Sequence, residues 1–177
     1  SKVYDQAEDS AWVEINFSYP VPIDEVVLVP AIWRDTQKGF LSDGFPETFC
    51  IRAGTPMDRR GKIIAEIHSD DNILPRIAPL VIPIPNTIAS WIRIEATQLS
   101  PRHFDGKYAL QLAELFVFSG QENMALRRPV NTSLNELDGA LAWDPLFLTD
   151  GFVPYMMNAA QGEQSPAYLT QPDVGEH

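Results

Sequence analysis

Apolar and polar residues alternate along much of this chain with a period of two, and the alternation is clearest between Val81 and Gly120. In Ala89-Ser-Trp-Ile-Arg-Ile-Glu-Ala-Thr-Gln-Leu99, Ile92, Ile94 and Ala96 share one face. Trp91, Arg93 and Glu95 share the other, the pattern of a half-buried strand. Tyr108-Ala-Leu-Gln-Leu-Ala-Glu-Leu-Phe-Val-Phe-Ser-Gly120 reads as its neighbour and stops at a Ser-Gly break. Upstream, Trp12-Val-Glu-Ile-Asn-Phe17 alternates with Val13, Ile15 and Phe17 inward, and Pro20 and Pro22 mark a turn. The continuous apolar centre of Ile23-Asp-Glu-Val-Val-Leu-Val-Pro30 predicts a strand covered on both faces. Glu47–Gly54 and Ile63–His68 add two strands, joined by a Pro/Gly/Arg turn over 55–62. Pro75, Pro79, Pro83 and Pro85 predict edges and turns between His68 and the 89–99 strand. Residues 31–46 read as a long loop of mixed aromatic and charged residues, and 1–11 as a polar, poorly ordered lead-in.

Six or seven short strands without βαβ alternation predict an all-β fold, an antiparallel jelly-roll β-sandwich. Fifteen Pro and ten Gly agree with many turns and few helices, and 177 residues suit one domain with an appendage. No apolar run is long enough to cross a bilayer, so no direct membrane insertion is expected. The net charge of −11 argues against nucleic acid, because Arg59-Arg60 and Arg127-Arg128 are too small to form a phosphate-binding patch. The single cysteine, Cys50, cannot form an intrachain disulfide and is read as a small buried hydrophobe. The chain starts at Ser1 without an initiator Met or signal peptide, and is read as a piece of something longer.

Catalytic signatures are absent: no Gly-x-Ser-x-Gly, no phosphate-cradling Gly-rich loop, no His-Glu-x-x-His and no Cys-x-x-Cys. The three histidines, His68, His103 and His177, are scattered, and no pair of acids has a spacing that singles it out. The chain is therefore expected not to be an enzyme.

The order of these segments resembles the discoidin family, also called coagulation-factor type C or galactose-binding-like domains, over roughly residues 12–120. The 12–17 strand is similar to the family's "W-I-E-I-D-L", 23–30 to its "I-x-x-V-x-L", 89–99 to its "A-R-Y-I-R-I" and 108–120 to its "A-L-x-E-L-x-V". Asn123-Met-Ala-Leu-Arg-Arg-Pro-Val130, Trp143-Asp-Pro145 and Leu148-Thr-Asp-Gly151 resemble the segment that normally opens such a domain, "N-x-A-L-G-K-P-V … W … L-V-D-G". Here that segment follows the closing strand. It begins a second copy, folds back onto the first, or completes a neighbouring molecule by swapping; a lone opening segment could not bury its own apolar residues, which favours folding back in cis or by swapping. The domains read as a sandwich body over 1–122, the displaced segment over 123–151 and a polar tail over 152–177.

The resemblance implies a non-catalytic, extracytoplasmic (periplasmic or secreted) recognition module that binds carbohydrate or a small polar ligand and could serve as the sensing part of a larger signalling protein. The alternatives are a structural, protein-interaction or dimerisation module, with a homodimer as its form, and an accessory domain of a glycoside hydrolase. In the family, loops at one end of the sandwich hold the ligand, which here selects the 31–46 and 100–107 loops. Trp33 offers a flat face for a pyranose ring, and Arg34, Asp35, Arg102 and His103 offer hydrogen bonds. The competing reading has Trp33 and Phe40 plugging the sandwich end and Arg102 pairing with Asp105. The family's calcium ion near its "D-G" motif would fall on Asp150 and Gly151, with a carbonyl from Leu148.

Overall fold

A computed structural model describes residues 4–103, 105–133 and 145–153. The His177 and Trp143 positions, Phe104 and residues 154–177 of the tail lie outside the described residues. The fold is an all-β antiparallel sandwich of the jelly-roll class.

Its spine is a pair of long strands, β1 (Ala11–Pro30) and β6 (Leu80–Gln98). The 12–17 and 23–30 segments, read from sequence as two strands, are one continuous β1. Pro20 and Pro22 bend it without ending it, and its pairing with β6 shifts register between Asn16 and Val21. Ser18 takes a positive φ of 67° at that bulge, a conformation few non-glycine residues adopt. Before the bend, Val13–Ile15 also pair with β11 (Val130–Thr132). After it, Glu25–Pro30 pair with β9 (Leu112–Ser119). β6 likewise takes β4 (Thr48–Gly54) along its second half only, and β5 (Lys62–Ile67) follows β4 at the edge. One hydrogen-bonded sheet is thereby bent into two layers.

The inward faces of both layers form one core. Ile15, Phe17, Ile51, Ile92 and Ile94 from one layer meet Val26, Leu28, Ile82, Leu115 and Val117 from the other. Phe45 and Phe49 close it with an edge-to-face contact at 6.4 Å. The continuous burial of Val26–Pro30 follows from their central position between β6 and β9. Cys50 is buried and free, and burial pushes its thiol pKa up.

Three expectations are corrected. Residues 31–46 are no open loop but contain a hairpin, β2 (Ile32–Asp35) with β3 (Gly39–Ser42). Strand 108–120 is broken at Leu110 and Gln111 into β8 (Tyr108–Ala109) and β9, with β8 pairing β7 (Ser100–Pro101). The lead-in is pinned: Tyr4 bridges Tyr108, and the Leu99 N–H donates to the Ala7 carbonyl at 2.8 Å. Downstream, β10 (Glu122–Asn123) pairs with β9, and the 3₁₀ turn Pro145–Thr149 also lies against β9.

The outward face of the first layer carries an ordered polar network. Arg93 donates Nε and Nη2 to Glu14 Oε2 at 3.0 and 2.7 Å and lies 4.5 Å over the Trp12 ring. Trp91 is only 5% exposed, because the 55–61 turn folds over its indole and Thr55 accepts its Nε1–H at 3.0 Å. Gly61 makes that possible, with a φ of +63° and no room for a side chain. A Cβ there would meet the Trp91 ring and come within 2.7 Å of the Ala53 carbonyl oxygen. Gly61→Ala is expected to cost about 2–4 kcal/mol, read as a lower urea midpoint with an unchanged slope.

Candidate functional site

The two loops singled out by the sequence are joined at one end of the sandwich. The Asp43 N–H donates to the Ala31 carbonyl, the Gln111 N–H to the Gly44 carbonyl, and Ser100 Oγ to the Phe45 carbonyl, at 2.6–2.9 Å. The His103 N–H donates to Asp43 Oδ1 at 2.7 Å, tying the second loop to the first.

On the β2–β3 hairpin the cross-strand pairs are Trp33 with Leu41, Arg34 with Phe40 and Asp35 with Gly39. Cross-strand partners share a face and neighbours along a strand do not. Trp33 and Asp35 therefore occupy one face of the ribbon, while Arg34 lies on the other with its guanidinium 5.9 Å from the Phe40 ring. Trp33 is 39% exposed and Phe40 44% exposed, so neither plugs the sandwich end.

Asp35 closes the hairpin turn: its Oδ1 accepts the Lys38 and Gln37 N–H groups at 2.7 and 2.8 Å. Those two backbone donors hold its carboxyl below the usual range, and the Lys38 and His103 charges add to the effect. Arg102 is engaged locally, donating Nε to Asp105 Oδ1 at 3.2 Å and Nη2 to Asp105 Oδ2. That pairing lowers the Asp105 pKa. Of the five residues selected from sequence, Trp33 and Asp35 share one face of the ribbon, Arg34 lies on the other, His103 is tied to the first loop through its backbone N–H, and Arg102 is paired with Asp105.

Asp150 lies at a second place, against β9. The turn ends there with Gly151 at a φ of +89°, and the Arg127 N–H donates to the Thr149 carbonyl at 2.6 Å. The Gly151 N–H donates to Glu114 Oε1 at 2.9 Å, and Asp150 Oδ1 accepts the Phe152 N–H at 2.7 Å. Glu114, the acid of the "A-L-x-E-L-x-V" match, was not singled out by the sequence, although a charged residue inside an apolar strand run is a signal in itself. Its side chain is fully buried, and Oε2 has no hydrogen-bond partner among the described residues. Burial, with the Asp150 carboxyl adding to it, pushes its pKa up to about 7 despite the Gly151 N–H.

A buried, unpartnered carboxylate oxygen beside a second carboxylate suits a hard cation, which draws its ligands from oxygen. Glu114 and Asp150 would supply the charged ligands, and backbone carbonyls and water the rest, since the described residues hold no group of three His, Cys, Asp or Glu side chains suited to a metal.

Without a cation, the raised pKa has a definite sign. Below about pH 4.5 both the folded and the unfolded chain hold the Glu114 proton, and its contribution is fully present. Between 4.5 and about 7 only the folded chain keeps it, so stability falls as pH rises through this window. In EDTA the loss between pH 4.5 and 7.5 is expected to be at most about 3 kcal/mol. Glu114→Gln is expected to flatten that slope in urea unfolding.

No family model matches the chain, and no curated protein matches it. Several solved structures do. Chitosan-binding module 2 of a chitosanase/glucanase from Paenibacillus sp. IK-5, in complex with chitotriose, is 16% identical, with a TM-score of 0.47 over 67% of this chain and 76% of that one. Module 1 of the same enzyme is 12% identical, with a TM-score of 0.46 over 66% and 74%. The Clostridium perfringens module CpGH89CBM32-5, in complex with GalNAc-β-1,3-galactose, is 14% identical, with a TM-score of 0.41 over 56% and 59%.

Proposed function

We propose that this domain is a non-catalytic carbohydrate-binding module whose ligand lies at the sandwich end formed by the 31–46 and 100–107 loops. One observation carries the reading: Trp33 stands exposed on a hairpin whose turn is locked by Asp35, with the His103 loop tied to it through Asp43. A sugar ring would stack on the indole while Asp35 and His103 bond its hydroxyls. Arg102 acts at the rim, held in place by Asp105, while Arg34 lies on the opposite face of the ribbon. The ordered resemblance over residues 12–120 supports the same reading, and the proposal extends to an extracytoplasmic setting within a larger sensing or hydrolytic protein.

Calcium at Glu114 and Asp150 belongs to this proposal as a structural ion, and the described parts of the 123–151 segment, residues 123–133 and 145–151, as part of this same sandwich. Calcium at 1 mM is expected to raise the melting temperature at pH 7.5 relative to EDTA, with the rise lost in Glu114→Gln. No rise in the unaltered protein would remove the ion from the reading.

Calorimetric titration with soluble oligosaccharides, among them chitotriose, tests the ligand site. Trp33→Ala is expected to weaken binding at least about tenfold, equivalent to about 1.4 kcal/mol, without shifting the urea midpoint. An unchanged affinity would sink the loop-end site. A second reading, an interaction module, is favoured by the exposed Leu126, Leu146, Phe147 and Phe152 around the displaced segment. It predicts a concentration-dependent dimer by sedimentation that Trp33→Ala leaves intact.

A further inference from the structure

A cleft of about 410 Å³ opens on the outward face of the first layer, where β1 bends. Its volume falls within the roughly 300–1,000 Å³ usual for small-molecule sites. It is separate from the loop end: its floor is the β1–β6 pairing and its far wall the 55–61 turn.

Two observations indicate that it is built for a ligand. The polar groups of the lining are held in place. Glu14 Oε1 accepts the Asn16 amide at 3.2 Å, and Oε2 accepts Arg93, whose guanidinium lies between the Trp12 and Trp91 rings at 4.5 and 5.5 Å. The far wall is equally fixed, because the Trp91 indole bonds Thr55 and Asp58 Oδ1 accepts the Arg60 and Gly61 N–H groups at 3.2 and 3.1 Å. Ser18 sits at the rim in its strained conformation, of the kind that gathers at binding sites.

The chemistry of the lining selects the ligand. The Arg93 charge is matched by Glu14, leaving Arg59 at the rim as the other cation of the cleft. A carboxylate in the lining and an overall charge of −11 oppose an anion. Paired charges, amides and hydroxyls oppose an apolar ligand. What they offer are donors and acceptors side by side, which complements hydroxyl groups that do both. We propose that the cleft is a second saccharide site, taking a pyranose unit of a neutral glycan chain through hydrogen bonds to its hydroxyls, independently of Trp33.

The test is a titration of the ¹⁵N-labelled full chain with cellohexaose, maltohexaose and chitohexaose, and with hexagalacturonate as the acidic counterpart. Each tryptophan indole N–H gives its own signal, so Trp91 and Trp12 report the cleft and Trp33 the loop end. A neutral hexamer is expected to shift the Trp91, Ser90 and Asn131 signals in a saturable manner. Asn131→Ala combined with Arg59→Ala, both exposed and outside the core, is expected to weaken that response about tenfold. Trp33→Ala should leave it unchanged. The proposal is overturned if no neutral hexamer moves the cleft signals, if hexagalacturonate alone does, or if the double variant binds as tightly as the unaltered protein. Failure of the loop-end reading would appear separately, as an unmoved Trp33 signal.

Discussion

Everything in this domain depends on the pairing of β1 with β6. It runs from Ala11 opposite Ala96 to Leu28 opposite Leu80, on both sides of the bend, so that among the described residues these two strands alone belong to both layers. The other strands attach to one half or the other: β4 and β11 before the bend, β9 after it. The bulge between Asn16 and Val21 is therefore more than a local irregularity. It sets the angle at which the two inner faces meet and leaves, on the outer side, the concavity that Ser90 and Trp91 floor.

The polar features sort by how firmly the backbone holds them. Asp35 is fixed by two N–H groups of its own turn, His103 by Asp43 across the loops, and Arg93 by Glu14 across the strands. Glu114 differs from all of these. Its hydrogen bond from Gly151 leaves Oε2 without a partner among the described residues, and the cost of burial is what drives its pKa up.

Much of the architecture was legible in the chain because period-two alternation survives wherever one face of a strand is buried. Val13, Ile15 and Phe17, then Ile92 and Ile94, announce their faces directly. The continuity of β1 was hidden because prolines and a positive φ imitate a turn, and only pairing with β6 carries the strand through. The 31–46 hairpin was hidden because its residues are largely exposed, so no core stamps a pattern on them. The site residues were legible as types but not as a group. That Trp33 and Arg34 point apart follows from their being consecutive residues of one strand, which becomes visible only once the hairpin is known. Trp91 was expected on an open face; its cover comes from a turn more than thirty residues away in sequence, held by Thr55.

The prolines of β6 have a further consequence. Pro83 and Pro85 lie in the half of that strand that has β1 on one side and, among the described residues, no strand on the other. Val81 and Ile88 are exposed in the same stretch, a composition that would invite another chain to add itself as an extra strand. Proline has no N–H to offer such a newcomer. A domain with this edge can be crowded beside copies of itself, on a surface or along a multidomain chain, without its sheets fusing.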